Sequence, residues 1–340
     1  MFQSTSEKVS PHLQVLSMIH GAHVSQAILA VAEFRLADLV RDGKRSTAQL
    51  AEAADTDELN LYRLLRTLVS LGIFSEPEPG YFASTELSAC LQSDSPETLY
   101  NSVLLGGWQW KALGEVSYSL RTGKPAFENL YGKDLWHYLA EDDPEAGALF
   151  NRAMTSLAGS MNQPIVDAYD FSSIGTLVDV GGGHGSFLVT ALERNPALKG
   201  VLFDHPSVVE QAKERIAKVV VADRCELVAG DFLKEVPPGG DAYFLRHILV
   251  DWGDEECEII LRNCVQAMKP HGRILVAEEV LGPGQADLLA KLIDLVLMVT
   301  LNGRGREEEE FRKLFASVGL SMRRILPTQS PCKIMEAVIA

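Results

Sequence analysis

The stretch GTLVDVGGGHGSFLVTALERNP, residues 175–196, restricts the fold more than any other part of the chain. An apolar β-branched run meets a glycine cluster, and a segment with helical spacing follows. This predicts a buried strand, a sharp turn and a helix. The rhythm then repeats. KGVLFDHP, CELVAGDF, DAYFLRHIL and GRILVAEEVL read as further strands, and SVVEQAKERIAKV and DEECEIILRNCVQAM as helices between them. Strands and helices alternating at these lengths predict a doubly wound parallel sheet. The tail FRKLFASVGLSMRRILPTQSPCKIMEAVIA adds a helix and closing strands.

The first half reads differently. Leu13, Leu16, Ile19, Ile28, Val31, Ala32, Leu36 and Leu39 recur at helical spacing. Ser46 or Thr47 can cap a short helix, and DELNLYRLLRTLVSLGIF places Leu61, Leu64, Leu65, Leu68 and Leu71 on one face. Gly72 ends that helix, and PEPG turns the chain before YFAS. Helix, turn, helix and hairpin is a winged-helix pattern. Only Arg63 and Arg66 lie on its second helix as cations, so a dimer platform is favoured over a DNA reader. Aromatics Trp108, Trp110, Phe127, Tyr131, Trp136 and Tyr138 follow at a density that permits an aromatic-lined cavity. The expected organisation is a dimerisation domain over residues 1–100, connecting helices bearing part of the substrate pocket over 101–168, and the catalytic domain over 169–340.

Composition narrows the partners. The 340 residues suffice for two domains, and a formal net charge of −15 argues against nucleic acid. No signal peptide is read at the start, and no uncharged apolar run is read as reaching the ~20 residues of a membrane helix. Cys90, Cys225, Cys257, Cys264 and Cys332 are odd in number and include no C-x-x-C pair. Free thiols in a cytoplasmic protein are expected, with no metal site, because no Cys/His cluster has ligand spacing.

Chemistry concentrates in the second half. Gly181-x-Gly183-x-Gly185 is one residue shorter than the dinucleotide pattern G-x-G-x-x-G. Behind the acidic Asp179, the shorter loop suits the amino-acid part of S-adenosylmethionine. Asp204 ends the second strand, where a carboxylate accepts both ribose hydroxyls. Asp231 and Phe232 end the third, where an acid and a ring can hold adenine. All three positions lie at the carboxyl ends of neighbouring strands, the ligand side of an open α/β sheet.

VSQAI, FRLADLV, LYRLLRTLVSLGIF, FNRAMTS, VDVGGGHG, GDF, DW, VAEEVL and the closing EAV together resemble the small-molecule O-methyltransferases of the plant caffeate and bacterial natural-product type. The resemblance spans nearly the whole chain. It implies an α/β fold: an N-terminal helical dimerisation domain with a winged-helix core, and a Rossmann-like sheet binding S-adenosyl-L-methionine. A homodimer acting on a small molecule is implied. So are cofactor roles for Gly181, Asp204, Asp231, Phe232, Arg246 and Trp252, and substrate-pocket roles for Met154, Val250 and Asn302.

Relatives commonly read LRHVLHDW where this chain reads LRHILVDW. Their second histidine is the usual general base, and here that position is Val250. His247 matches the other, structural histidine. Of the two glutamates that orient the base, one matches Glu278, while the other falls on Gly305 in NGRGRE. Asp251 and Glu278 remain as acidic candidates, and His23 in GAHVSQAI is a candidate relocated base. Three readings follow: methyl transfer to an acidic phenol without a protein base, a base supplied by His23, or a repurposed, non-methylating site. A cofactor-sensing regulator is the non-enzymatic alternative.

Overall fold

The computed structural model describes residues 10–95 and 98–340, except the side chains of 158–160. The described chain forms two units. One runs to Trp108 and includes Arg152–Leu157; the other comprises Gln109–Asn151 and Ala158–Ala340.

In the N-terminal unit, helices Pro11–Ile19 and Gly21–Glu33 lead to the winged-helix motif. Ser46 and Gln49 cap helix Thr47–Ala54 reciprocally, which satisfies its first free N–H groups. Asp57 caps helix Glu58–Ser70, which buries Leu61, Leu65 and Leu68. Leu64 and Leu71 are only half-buried, so the apolar stripe is narrower than the leucine spacing predicts. Strands β1 (Arg45–Ser46), β2 (Phe74–Glu78) and β3 (Tyr81–Ser84) form an antiparallel sheet in the order β1-β3-β2. Phe74 and Phe82 enter the same core as Val31, Leu36 and Leu65.

The membrane reading needs a correction. Pro11–Glu33 is long and apolar enough to cross a bilayer by length and composition. The turn at His20 divides it into two helices, which had hidden its combined length. Leu13, Val15, Leu16, Met18 and Ile19 are exposed on it.

The second unit holds β4 (Thr176–Val180), β5 (Lys199–Asp204), β6 (Cys225–Ala229), β7 (Ala242–Arg246) and β8 (Arg273–Glu278), with the short pair β9 (Val280–Leu281) and β10 (Arg306–Glu307), then β11 (Leu320–Pro327) and β12 (Lys333–Ile339). The large sheet runs β11-β12-β8-β7-β4-β5-β6. Its β4–β8 core is parallel, as expected. The last two strands are antiparallel, because only five residues join β11 to β12 and a parallel crossover needs a dozen or more.

Side chains alternate across this sheet with a period of two. Val178, Val180, Tyr243, Leu245, Ile274 and Val276 pack on helices Asp254–Ala267 and Glu308–Ser317. Leu177, Leu202, Phe244, Leu275 and Ile334 pack on helices Ser186–Arg194 and Pro206–Ile216 on the other face. With both faces covered, the polar groups at the strand ends are left as the accessible chemistry.

Candidate cofactor site and its loop

Each parallel strand delivers a functional residue at its carboxyl end. After β4, Gly181, Gly183 and Gly185 all have positive φ, at 68°, 59° and 76°. Side chains rarely adopt this conformation, so the three positions favour glycine. A Cβ on Gly181 would lie 2.3 Å from Ile248 Cδ1, whereas one on Gly183 would meet only open space. The loop is thus pressed onto the protein at Gly181 and open to a ligand at Gly183. The Gly181 N–H donates to the Phe203 carbonyl at 2.8 Å, which locks the loop to the end of β5.

Asp204 follows directly. Its two carboxylate oxygens accept from the N–H groups of Gly183 (2.8 Å) and His205 (2.7 Å). Burial raises the carboxyl above its ordinary range, and these two N–H donors oppose the rise. Each oxygen keeps a lone pair for a ribose hydroxyl. Asp231 accepts from the Leu233 N–H at 2.9 Å and pairs with exposed Lys234 at 3.2 Å. Phe232 meets Trp252 edge-to-face, with centroids 5.8 Å apart, and its ring lies 3.6 Å from the Cβ position of Gly181. The structure therefore brings Gly181, Phe232 and Trp252 into one aromatic-walled cradle.

Asp179 lies behind the loop. Its Oδ2 is buried without a hydrogen-bond partner among the described residues, and burial pushes its carboxyl up to about 7. Arg246 opposes that shift by its charge, donates to Asn162 Oδ1, and stacks its guanidinium 5.8 Å from the Phe187 ring centroid. An orphaned carboxylate under an open glycine loop, a second carboxylate with free lone pairs and two aromatic rings fit a cationic adenosine cofactor.

The segment after β7 carries the acceptor-side candidates. His247 has φ 52° and leads into the turn Leu249–Asp251. Glu278 is buried and accepts from the Val250 N–H at 3.1 Å. Its partner is thus the backbone of the loop. Burial pushes both Glu278 and Asp251 up to about 7, and the charge of Glu278 adds to the rise at Asp251. Asn302 is exposed, with its Nδ2 3.1 Å from the Cβ position of Gly253. Beside it, a Cβ on Gly303 would lie 2.1 Å from the Val250 carbonyl oxygen, so only glycine allows this contact. Val250, Asp251 and Asn302 therefore belong to one local assembly. Gly305 donates its N–H to Asp294 at 2.7 Å. Met154 and His23 lie in the N-terminal unit, both exposed, and His23 Nδ1 sits 3.1 Å from His20 Nδ1.

The residue that sequence reasoning missed is Arg306. Its guanidinium is fully buried. It donates to the carbonyls of Leu249 (2.7 Å) and Trp252 (3.0 Å), and to Asp254 at 2.7 Å. The NGRGRE motif drew attention to Gly305, yet its second arginine fastens the loop. The aromatic-rich stretch makes ring contacts of its own. Phe127, Tyr131 and Tyr138 pack on one another, with centroids 4.4–5.4 Å apart, and Trp136 packs on Phe150. Such offset and edge-to-face pairs add about 0.5–1.5 kcal/mol each beyond their area burial.

Fold and rim together define an α/β protein that holds an adenosine-type cofactor beside an apolar-walled loop. Family models agree: residues 110–321 match the O-methyltransferase domain and residues 16–94 the O-methyltransferase dimerisation domain. The chain belongs to the O-methyltransferase family. It is 40% identical to the phenazine O-methyltransferase PhzM of Lysobacter antibioticus over 95% of each chain. It is 32% identical to the aclacinomycin 10-hydroxylase RdmB of Streptomyces purpurascens over 93% of this chain and 86% of that one. The crystal structure of LaPhzM superposes with a TM-score of 0.94, at 39% identity, covering 98% of this chain and all of the other. NcsB1 from neocarzinostatin biosynthesis, solved with S-adenosylmethionine and a naphthoic acid, gives 0.83 at 31% identity over 93% and 96%. S-adenosylmethionine is the cofactor, and the chain forms a homodimer through its N-terminal domain.

Three outcomes are expected. Asp204→Ala weakens S-adenosylmethionine binding by about 1.5–3 kcal/mol, roughly ten- to hundredfold, in calorimetry; unchanged affinity would remove its ribose assignment. Arg306→Ala lowers unfolding stability by about 2–4 kcal/mol, and Arg306→Lys restores less than half, because one ammonium cannot reach all three acceptors. Urea titration measures both, and full rescue by lysine would refute the clamp. Asp179 makes the cofactor-free protein pH-sensitive. Its folded pKa of about 7 exceeds the ordinary value of 3.8, so the folded state binds more protons between those pH values. Stability is therefore present below about pH 4 and declines as pH rises to about 7. Asp179→Asn should raise the melting temperature at pH 8 and leave it unchanged near pH 4; an equal shift at both would contradict the assignment.

Proposed function

We propose that this protein is a cytoplasmic enzyme that methylates a hydroxyl of an aromatic or polyketide-like small molecule without a histidine base. The observation that carries the reading is the contrast at one loop. Gly181, Asp204, Phe232 and Trp252 together offer a place for the cofactor, while Val250 and Gly305 occupy the sequence positions at which the resembled family carries a proton acceptor and its support.

Bound S-adenosylmethionine supplies an electrophilic methyl on a sulfonium. The rim residues orient that cofactor, and Val250 offers the acceptor an apolar wall. The acceptor oxygen forms the new bond to carbon as the carbon–sulfur bond breaks, and its proton leaves to solvent. Alignment and desolvation contribute up to about 7–11 kcal/mol to such a displacement, against the 10²–10⁴-fold from a general base. The base is therefore dispensable only where the hydroxyl ionises readily, as in a phenol beside a carbonyl. Asn302, next to the Val250 loop, is a further residue offered to the acceptor.

Two other readings are separable. His23 would supply the base if His23→Ala lowered kcat on weakly acidic phenols while sparing acidic ones. A repurposed site, favoured by the relationship to a hydroxylase, would bind the cofactor tightly without passing label from the S-methyl group into any product.

The missing-base reading is tested by Val250→His combined with Gly305→Glu. Leu281 Cδ1 would lie 2.8 Å from the new Cβ at 305, a flexible contact that can yield. Turnover on weakly acidic phenols should rise by about 10²-fold or more, with little change on acidic ones. A folded double variant with no gain would count against the reading.

A further inference from the structure

The sheet register brings together three side chains that lie far apart in sequence. β7, β8 and β12 are neighbours, with Arg246 opposite Ala277 and Glu278 opposite Lys333. His247, Glu279 and Cys332 are each one residue beyond these pairs. They stand side by side on the rim, at the spacing of adjacent strands.

Their reactive atoms converge. His247 Nε2 lies 3.1 Å from Glu279 Oε2 and 3.2 Å from Cys332 Sγ, and Sγ lies 3.9 Å from Glu279 Oε1. One nitrogen carries at most one proton, yet Nε2 faces both a carboxylate and a sulfur. A tetrahedral zinc ion with bonds of about 2.0–2.3 Å sets its ligands about 3.3–3.6 Å apart. The two Glu279 contacts use different carboxylate oxygens, and one ligand atom from each of the three residues lies within 4.8 Å of the other two, so a rotation of the Glu279 carboxylate toward the thiol closes the set on one ion. Cys332 is buried, while the side chains of His247 and Glu279 are 36% and 22% exposed, so one side stays open for a water as fourth ligand. Imidazole, thiolate and carboxylate together suit a borderline cation far better than calcium or magnesium, which take all-oxygen shells.

We propose that His247, Glu279 and Cys332 bind one zinc(II) ion per chain. The ion ties the ends of β7 and β8 to the start of β12 and so fixes the origin of the loop carrying Val250 and Trp252. The site is independent of which acceptor is methylated.

The test uses full-length protein stripped with a chelator and desalted. Zinc(II) should bind at one equivalent per chain against a chromophoric competitor and raise the melting temperature. Cobalt(II) should give a sulfur-to-metal charge-transfer band in the near ultraviolet. Cys332→Ser should abolish the band, and Glu279→Gln should weaken zinc binding at least tenfold. Circular dichroism and dimer size confirm folding of each variant. If Cys332→Ser fails to fold, the Cys90→Ser/Cys225→Ser double variant takes its place and must retain the band, since it removes the two cysteines that are not buried. Wild-type protein that takes up no stoichiometric zinc overturns the proposal. Uptake undiminished in Cys332→Ser, or a band lost in the Cys90/Cys225 variant, overturns it equally.

Discussion

One buried guanidinium holds the acceptor-side loop in place. Arg306 leaves the β9–β10 pairing with its side chain sealed from solvent. Burying an unpaired cation costs several kcal/mol, so its position depends on its acceptors. Those acceptors are the carbonyls of Leu249 and Trp252 and the carboxylate of Asp254. Glu278 completes the arrangement from the other side by accepting the Val250 N–H. The loop is thus gripped through its main chain, by a cation at its carbonyls and a buried acid at its amide.

The cofactor side follows the same logic with glycine in place of charge. Three positive-φ glycines bring the β4 loop onto the end of β5, and the Phe203 carbonyl and Asp204 carboxylate accept its N–H groups. Asp204 thereby anchors the loop while its remaining lone pairs stay on the ligand side of the sheet. Trp252 connects the two halves: its carbonyl belongs to the Arg306 clamp and its ring packs on Phe232. Loosening the clamp should therefore be felt at the adenine cradle.

Much of this was legible in the sequence, for reasons that differ by residue. The glycine spacing, Asp204 and Asp231 could be read because a strand end followed by a turn is a local signal. The antiparallel β11–β12 edge was missed in orientation, since apolar runs reveal strands without direction. Arg306 escaped because one arginine among several charges looks solvated until its burial is known. In the stretch from Trp108 to Tyr138, aromatic density does not distinguish rings that line a cavity from rings that pack on each other, and Phe127, Tyr131 and Tyr138 make mutual contacts. His247, Glu279 and Cys332 were invisible to a search for ligand spacing, being brought together only by the register of three strands.

Main-chain anchoring makes the shape of this loop independent of the side chain at position 250. Among the described residues, the hydrogen bonds that hold residues 249–252 use main-chain groups and not the side chain at position 250. Arg306 binds carbonyls, Glu278 binds an amide, and Gly303 packs against the Val250 carbonyl oxygen. Exchanging an imidazole for an isopropyl group there leaves each of these intact, so the substitution changes the chemistry offered to the acceptor with little strain on the loop. A scaffold that separates loop geometry from side-chain identity permits relatives of one fold to differ in the step they catalyse.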